Sequence, residues 1–289
     1  MTDLPWLEYA TGQDPARNYC LWDYRPPQPA AGRWRAVNLL YKSFDLAGCS
    51  DSGRAVVEAL RAGIGPFQTV FGVKWINGVL GWEYYFYDYR RRARQVSISK
   101  TLAVLAPFAK AALPINEDLP YFMFSLDFHA VHGRFAPNFD VVHMYIGHPD
   151  TSVSSGIAYG ITAAQTRLEN FYFFFNAQTQ MQGVAAKVAS SAYFDETTQA
   201  LDWIILPELR NCQTICVANK QSHDAIYFSG IDVGQLLWFL EKFQYPASLI
   251  ACVRDHRAQL DHVLFDVGID YATCHGRIQY LKSGFYGNF

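Results

Sequence analysis

Charge is scarce in this sequence. Lys, Arg, Asp and Glu make up 17% of its 289 residues, against about 25% in an ordinary globular protein. The 24 basic and 26 acidic side chains nearly cancel, leaving a formal charge of −2, so no global basic field exists to attract nucleic acid or anionic lipid. No apolar run approaches the roughly 18 residues that a membrane helix needs. Met1 to Asp14 carries acids and no positive leader ahead of an apolar core, so it does not read as a secretory signal. Neither a P-loop, nor a dinucleotide glycine fingerprint, nor a Cys-x-x-Cys pair occurs. The six cysteines (Cys20, Cys49, Cys212, Cys216, Cys252, Cys274) are scattered through a chain long enough to build its own core. They read as reduced thiols of a cytoplasmic protein.

What is abundant is apolar and aromatic. Hydrophobic residues account for 51% of the chain, and Phe, Tyr and Trp for 16%, which excludes a disordered chain because apolar surface is available to offset backbone entropy. At roughly 100–200 residues per domain the length allows two domains or one large one. Residues 1–35, with Pro26, Pro27 and Pro29 clustered, show no period and read as an irregular arm packed on a single domain spanning 36–289.

The first helix signal runs from Ser50 or Asp51 to Gly63, with Ala55, Val56, Ala59 and Leu60 on one face. Phe67–Trp75 and Trp82–Arg90 follow as two aromatic, β-branched runs around Asn77-Gly78, a strong hairpin signal. A helical stretch over Ser99–Ala112 is interrupted by Pro107, then Tyr121–Ala130 alternates strictly and pairs with Phe139–Gly147 across Gly133 and Pro137. Residues 154–194 are ambiguous; Leu168–Phe175 fits a buried strand or an aromatic helix face, the strand being favoured. Thr197–Arg210 reads as helix, Gln213–Lys220 and Ala225–Ser229 as a hairpin, and Asp232 caps a helix to Phe243 before Pro246. Leu249–Arg254, His262–Tyr271 and Arg277–Tyr286 complete about ten strands. Helices between hairpins, rather than between every pair of strands, argue for an α+β antiparallel sheet closed into a barrel and surrounded by helices.

Alternation then sorts the faces. Phe71, Val73 and Trp75 oppose Lys74; Trp82, Tyr84 and Phe86 oppose Glu83, Tyr85 and Tyr87; Phe122, Phe124, Leu126 and Phe128 oppose Ser125, Asp127 and His129. Cys216 and Ala218 run on to Lys220; His262, Asp266 and Asp270 share a face, as do Tyr280, Lys282 and Tyr286. An interior with several cations, many tyrosines and a few acids suits a diphosphate, because isolated inward lysines need counter-ions. The plainer alternative is that each cation sits at a strand end and reaches water.

Three patches resemble the bacterial ABBA-type aromatic prenyltransferases: Met123–Tyr145 (MFSLDFHAVHGRFAPNFDVVHMY), Asn219–Leu237 (NKQSHDAIYFSGIDVGQLL) and Tyr280–Phe289 (YLKSGFYGNF). The resemblance implies a ten-strand antiparallel barrel ringed by helices, with an allylic diphosphate donor and an aromatic or peptide side-chain acceptor inside it. It implies Lys220, Arg254 and Lys282, with Lys74 and Arg134, as diphosphate ligands, since fixed cations stabilise the leaving group. Tyr85, Tyr145, Tyr227 and Tyr286 would shield the allylic cation. Glu83 would take the acceptor's proton, with Asp127 in reserve. The family's metal-dependent members carry an aspartate near this strand, where Trp82-Glu83-Tyr84-Tyr85-Phe86 stands here, so no magnesium requirement is expected.

Two rivals compete. The same barrel could hold a hydrophobic or aromatic ligand without chemistry, though such a carrier has no reason to aim several cations inward. Ser97-Ile98-Ser99-Lys100 and Lys282-Ser283-Gly284 match short elements of penicillin-recognising acyl-transfer enzymes, but the S-x-N element between them is missing. His129, His132 and His143 lack the common face that zinc needs. Arg90-Arg91-Arg92 with Arg94 reads as solvated surface.

Overall fold

The computed structural model describes residues 6–111, 113–148, 155–195 and 200–289. Ten antiparallel strands close into one barrel: β1 (Thr69–Ile76), β2 (Val79–Tyr87), β3 (Met123–Val131), β4 (Arg134–His148), β5 (Ser155–Ile161), β6 (Thr166–Asn176), β7 (Thr214–Lys220), β8 (Asp224–Ile231), β9 (Phe265–Cys274) and β10 (Arg277–Asn288). Each pairs with its neighbour in sequence, and β1 closes on β10 with Lys74 opposite Gly284. Closure leaves no sheet edge and creates an interior. The Asn77-Gly78 hairpin forms as its sequence predicts, with φ values of 49° and 85° and Ile76 opposite Val79.

The barrel's outward rows meet the helices. Phe71, Val73, Trp82, Tyr84, Phe86, Phe124, Leu126 and Phe128 share one core with Phe44 of α1 (Val37–Leu46) and with Val56, Val57 and Leu60 of α2 (Ser50–Ile64). Trp82 Nε1 donates to Ser43 Oγ at 2.8 Å, so the largest ring in this layer is also satisfied. Each such apolar side chain contributes roughly 1.5–3 kcal/mol by leaving water. Further helices are α3 (Ile98–Leu105), α4 (Met181–Ala189), α5 (Val233–Lys242), α6 (Ala247–Asp255) and α7 (Arg257–Leu260).

Several expectations change. Leu249–Arg254 is helical, inside α6, because Leu249, Cys252 and Val253 bury one helical face behind Pro246; six residues are too few to separate a period of 3.6 from a period of 2. The helix expected over Ser99–Ala112 ends at Leu105, just before Pro107, and Ala112 lies outside the described residues. Of the expected helix Thr197–Arg210, residues 197–199 lie outside the described residues, and the rest contains two short turns, Leu201–Trp203 and Pro207–Leu209. Leu168–Phe175 is a strand, within β6, and α1, β5, α4 and α7 add to the expected elements. Arg94 is not solvated: its side chain donates to the carbonyls of Glu117 and Leu119 and lies 3.4 Å from the centre of the Tyr121 ring.

Glycine makes room inside. A Cβ at Gly268 would stand 2.3 Å from the Tyr227 ring, and one at Gly72 would stand 2.7 Å from the Tyr286 ring. Both inward tyrosines therefore lie across a neighbouring strand where any other residue would collide.

Candidate active site

Strand register assembles the polar end of the interior. Glu83 stands directly opposite Asp127, and Lys282 directly opposite Asp270. Two carboxylates in register repel one another unless a cation intervenes. The Lys74 ammonium does so, pairing with Asp127 and lying 3.5 Å from Glu83 Oε2. Ser125 Oγ donates to Glu83 Oε1 at 2.6 Å. Beside them His143 Nδ1 lies 2.6 Å from Glu169 Oε2, and its Nε2 lies 4.0 Å from Asp127 Oδ2.

Across the cavity, Asp270 Oδ2 receives Lys220 Nζ at 2.8 Å, His223 Nε2 at 3.0 Å and Lys282 Nζ at 3.1 Å. These groups surround a polar cavity of about 290 Å³. Burial by itself would push the Glu83 carboxyl up, but Lys74, His143, Lys282 and the Ser125 hydroxyl outweigh it and hold the group at about 2. Burial likewise opposes ionisation of Asp270, and Lys220, Lys282 and His223 overcome it, holding it well below the usual carboxylate range. Burial would lower His143; Glu169, Glu83 and Asp127 raise it instead. The lysines thus have counter-ions from the chain itself, where their inward placement had suggested an external anion.

Below this layer lies a belt of rings. Tyr85 and Tyr286 have centroids 5.8 Å apart, Tyr227 and Tyr286 6.3 Å, and Tyr145 and Tyr172 5.6 Å. Burial drives the phenols of Tyr85, Tyr145, Tyr227 and Tyr286 well above their ordinary range, so they stay neutral. Into the belt projects Tyr19, from a tight turn of the N-terminal arm in which Asn18 Oδ1 accepts from the backbone N–H groups of Cys20 and Trp22. Its ring stacks 6.4 Å from Tyr227 and meets Tyr85 and Tyr286 edge-on at 5.0 Å. Beyond it is a small apolar cavity of about 40 Å³, with Phe122, Met123, Phe174, Cys216 and Phe228 among its walls.

Of the expected diphosphate ligands, Lys74, Lys220 and Lys282 come together, and Glu83 and Asp127 face the same cavity. Two arginines do not. Arg254 sits on α6, half-exposed outside the barrel, where it pairs with Glu241 at 2.7 Å. Arg134 is exposed at the start of β4, after the His132-Gly133 turn, which is tied to α2 by the Phe135 N–H donating to Ser52 Oγ. The acyl-transfer motif also dissolves: Ser97 Oγ caps α3 by accepting from the Lys100 N–H, the Lys100 ammonium donates to the Gln95 carbonyl, and Ser283 bonds Tyr245.

Sequence reasoning missed His223 and Glu169, weighed His143 only as a zinc ligand, and saw no role for Tyr19. Alternation carried a signal for Asp270; Glu169 faces inward beside Asn170 only because the β5–β6 register shifts there, which no alternation shows, and nothing in the aperiodic arm marked Tyr19. Glu83, Asp127 and His143 offer ligand atoms within 4.8 Å of one another. A divalent ion entering there would have to displace the Lys74 ammonium, which already bridges the two carboxylates.

No family model and no curated protein matches the chain. Among solved structures it is similar to PriB, crystallised as a binary complex with product diphosphate, with a TM-score of 0.50 and 8% identity over 88% of this chain and 94% of that one. The likeness is one of fold: a closed ten-strand antiparallel barrel with helices around it, of the ABBA type.

Proposed function

We propose that this barrel is a transferase of alkyl groups that moves a dimethylallyl or geranyl group from its diphosphate to an aromatic or peptide side-chain acceptor. One observation carries the reading: Lys74, Lys220 and Lys282, from three separate strands, converge on one cavity floored by tyrosine rings. A cationic end beside an aromatic wall is the pairing that ionisation of an allylic diphosphate requires, since negative charge grows on the leaving group and positive charge on carbon. The product diphosphate named for PriB supports the same donor class.

In this mechanism Lys220 and Lys282 hold the diphosphate, and Tyr85, Tyr145, Tyr227 and Tyr286 cover the cation. The acceptor attacks, and its proton passes to Glu83, with Asp127 as the reserve base. A carboxylate held near 2 is a weak base, but attack by an allylic cation makes the acceptor's proton strongly acidic, so a weak base suffices. The lysines supply charge that magnesium supplies elsewhere, and the reaction is proposed to need no metal. Six free cysteines support a reducing, cytoplasmic setting. No helix among the described residues is long and apolar enough to cross a membrane, and neither membrane nor nucleic acid is proposed as a partner.

The second reading, a barrel that binds an aromatic or hydrophobic ligand without chemistry, is favoured by the Tyr19 ring, which narrows the aromatic belt by packing 5.0 Å from both Tyr85 and Tyr286. The deciding assay incubates the protein with dimethylallyl or geranyl diphosphate and a panel of indoles, phenols and short peptides, with and without EDTA. The transferase produces a mass gain with matching pyrophosphate. A binder produces neither.

A further inference from the structure

We propose that Asp270 is a positioning residue that gathers Lys220 and Lys282 into a single anion subsite for the donor's diphosphate, with His223 holding Asp270 in place from the β7–β8 turn. The inference rests on the transferase reading above. Its observation is that all three nitrogens converge on one oxygen: Oδ2 of Asp270 lies 2.8 Å from Lys220 Nζ, 3.0 Å from His223 Nε2 and 3.1 Å from Lys282 Nζ.

Two ammonium groups are held close together on one atom although like charges repel. The arrangement is built from separate parts of the chain. Lys282 is the direct cross-strand neighbour of Asp270, Lys220 comes from two strands away, and His223 lies in the β7–β8 turn. That turn is itself fixed. Asp224 Oδ1 accepts from the Lys220 backbone N–H at 3.1 Å, its Oδ2 accepts from Asn219 Nδ2 at 2.9 Å, and Ser222 Oγ lies 2.9 Å from His223 Nδ1. Both ring nitrogens of His223 are therefore engaged, which fixes Nε2 on Asp270 and leaves the two ammonium groups to meet an anion.

Each ammonium has three N–H donors. One of them meets Asp270, and two remain for a diphosphate oxygen without breaking the cluster. Asp270 is 5% exposed and lines the same cavity as both lysines, with their nitrogens gathered on its Oδ2. A flexible lysine would otherwise lose its rotamer freedom only when the donor arrives, which weakens binding.

The sign of one mutation separates positioning from plain charge. Asp270→Asn removes a negative charge from an anion site: simple electrostatics expects tighter pyrophosphate binding, and positioning expects weaker. Inorganic pyrophosphate is titrated calorimetrically into the full-length wild type, Asp270→Asn, His223→Gln and the double variant, with melting temperatures recorded in parallel. The expected result is a loss of tenfold or more in each single variant, and a double variant within threefold of the weaker single one. Such non-additivity marks one shared unit, and a merely structural role would instead add. With donor and acceptor present, the loss falls on the KM for donor and leaves the KM for acceptor in place.

Unchanged or tighter binding by Asp270→Asn overturns the proposal. If Asp270→Asn fails to fold, His223→Gln still decides, since its half-exposed turn position tolerates change, and wild-type affinity there overturns it as well. Wild-type protein that binds no pyrophosphate sinks the transferase reading and this one together, whereas normal binding with indifferent variants sinks this one alone.

Discussion

The backbone N–H of Tyr19 donates to Oδ2 of Asp266 at 2.7 Å, which ties the N-terminal arm to the inner face of β9. Asp266 Oδ1 accepts from the Gly230 N–H at 3.1 Å, and the carboxyl is buried among apolar groups. Burial pushes it up to about 7, against the pull of these hydrogen bonds.

That shift predicts a pH dependence. An unfolded Asp releases its proton near 3.9. Between there and about 7 the folded state holds the proton and the unfolded state does not. The stabilisation is full below the unfolded value and is lost as pH rises through the folded one, by a few kcal/mol in all. Thermal melts from pH 4 to 8 are expected to show wild type losing stability relative to Asp266→Asn as pH rises, then running level above 7. A constant difference across that range would contradict the assignment.

Tyr19 itself closes the aromatic belt from the arm's side. Tyr19→Ala opens the belt and removes ring contacts with Tyr85, Tyr227 and Tyr286, at a cost of about 3–5 kcal/mol, on the order of other large aromatic truncations. In the transferase reading it also admits water to the cation. The product mixture is then expected to shift from alkylated acceptor towards free prenyl alcohol, measured by chromatography at equal donor consumption. An unchanged ratio would place Tyr19 away from the reacting carbon.

The cations separate by position. Lys282→Ala is expected to abolish diphosphate release, because Lys282 faces the cavity. Arg254→Ala, outside on α6, breaks only an exposed pair with Glu241, worth about 0–1 kcal/mol, and is expected to turn over like wild type. Pyrophosphate assays on both variants test the contrast; equal losses would mean that the interior does not set the chemistry.

Why Arg254 misled is physical. Leu249–Arg254 is apolar and partly β-branched, as a strand would be, and only its packing beside α1 and α5, with Leu249, Cys252 and Val253 buried, reveals the helix. Where alternation ran long, as in β2 and β3, it placed Glu83, Tyr85 and Asp127 inward correctly. Closure and strand order were legible from hairpins, because each hairpin pairs neighbours. The matching of lysines to carboxylates was not, since it depends on register between strands far apart in sequence, such as Lys220 with Asp270. Tyr19 was invisible for a similar reason: an aperiodic arm holds no pattern to say where its tip goes.

The Glu83, Lys74 and Asp127 cluster gives the last contrast. Lys74 bridges two carboxylates that stand in register, and removing it leaves them facing each other with His143 alongside. Glu83→Gln is expected to retain pyrophosphate affinity and slow transfer by about 10²–10⁴, the usual worth of a general base. Lys74→Met is expected to do something different: lose activity and gain a divalent-ion site, because two carboxylates and an imidazole then lack their resident cation. Calorimetry with manganese would read no binding in wild type and measurable binding in Lys74→Met, and transfer by wild type would persist in EDTA. Loss of wild-type transfer in EDTA, restored by magnesium, would show that Lys74 does not take the metal's place.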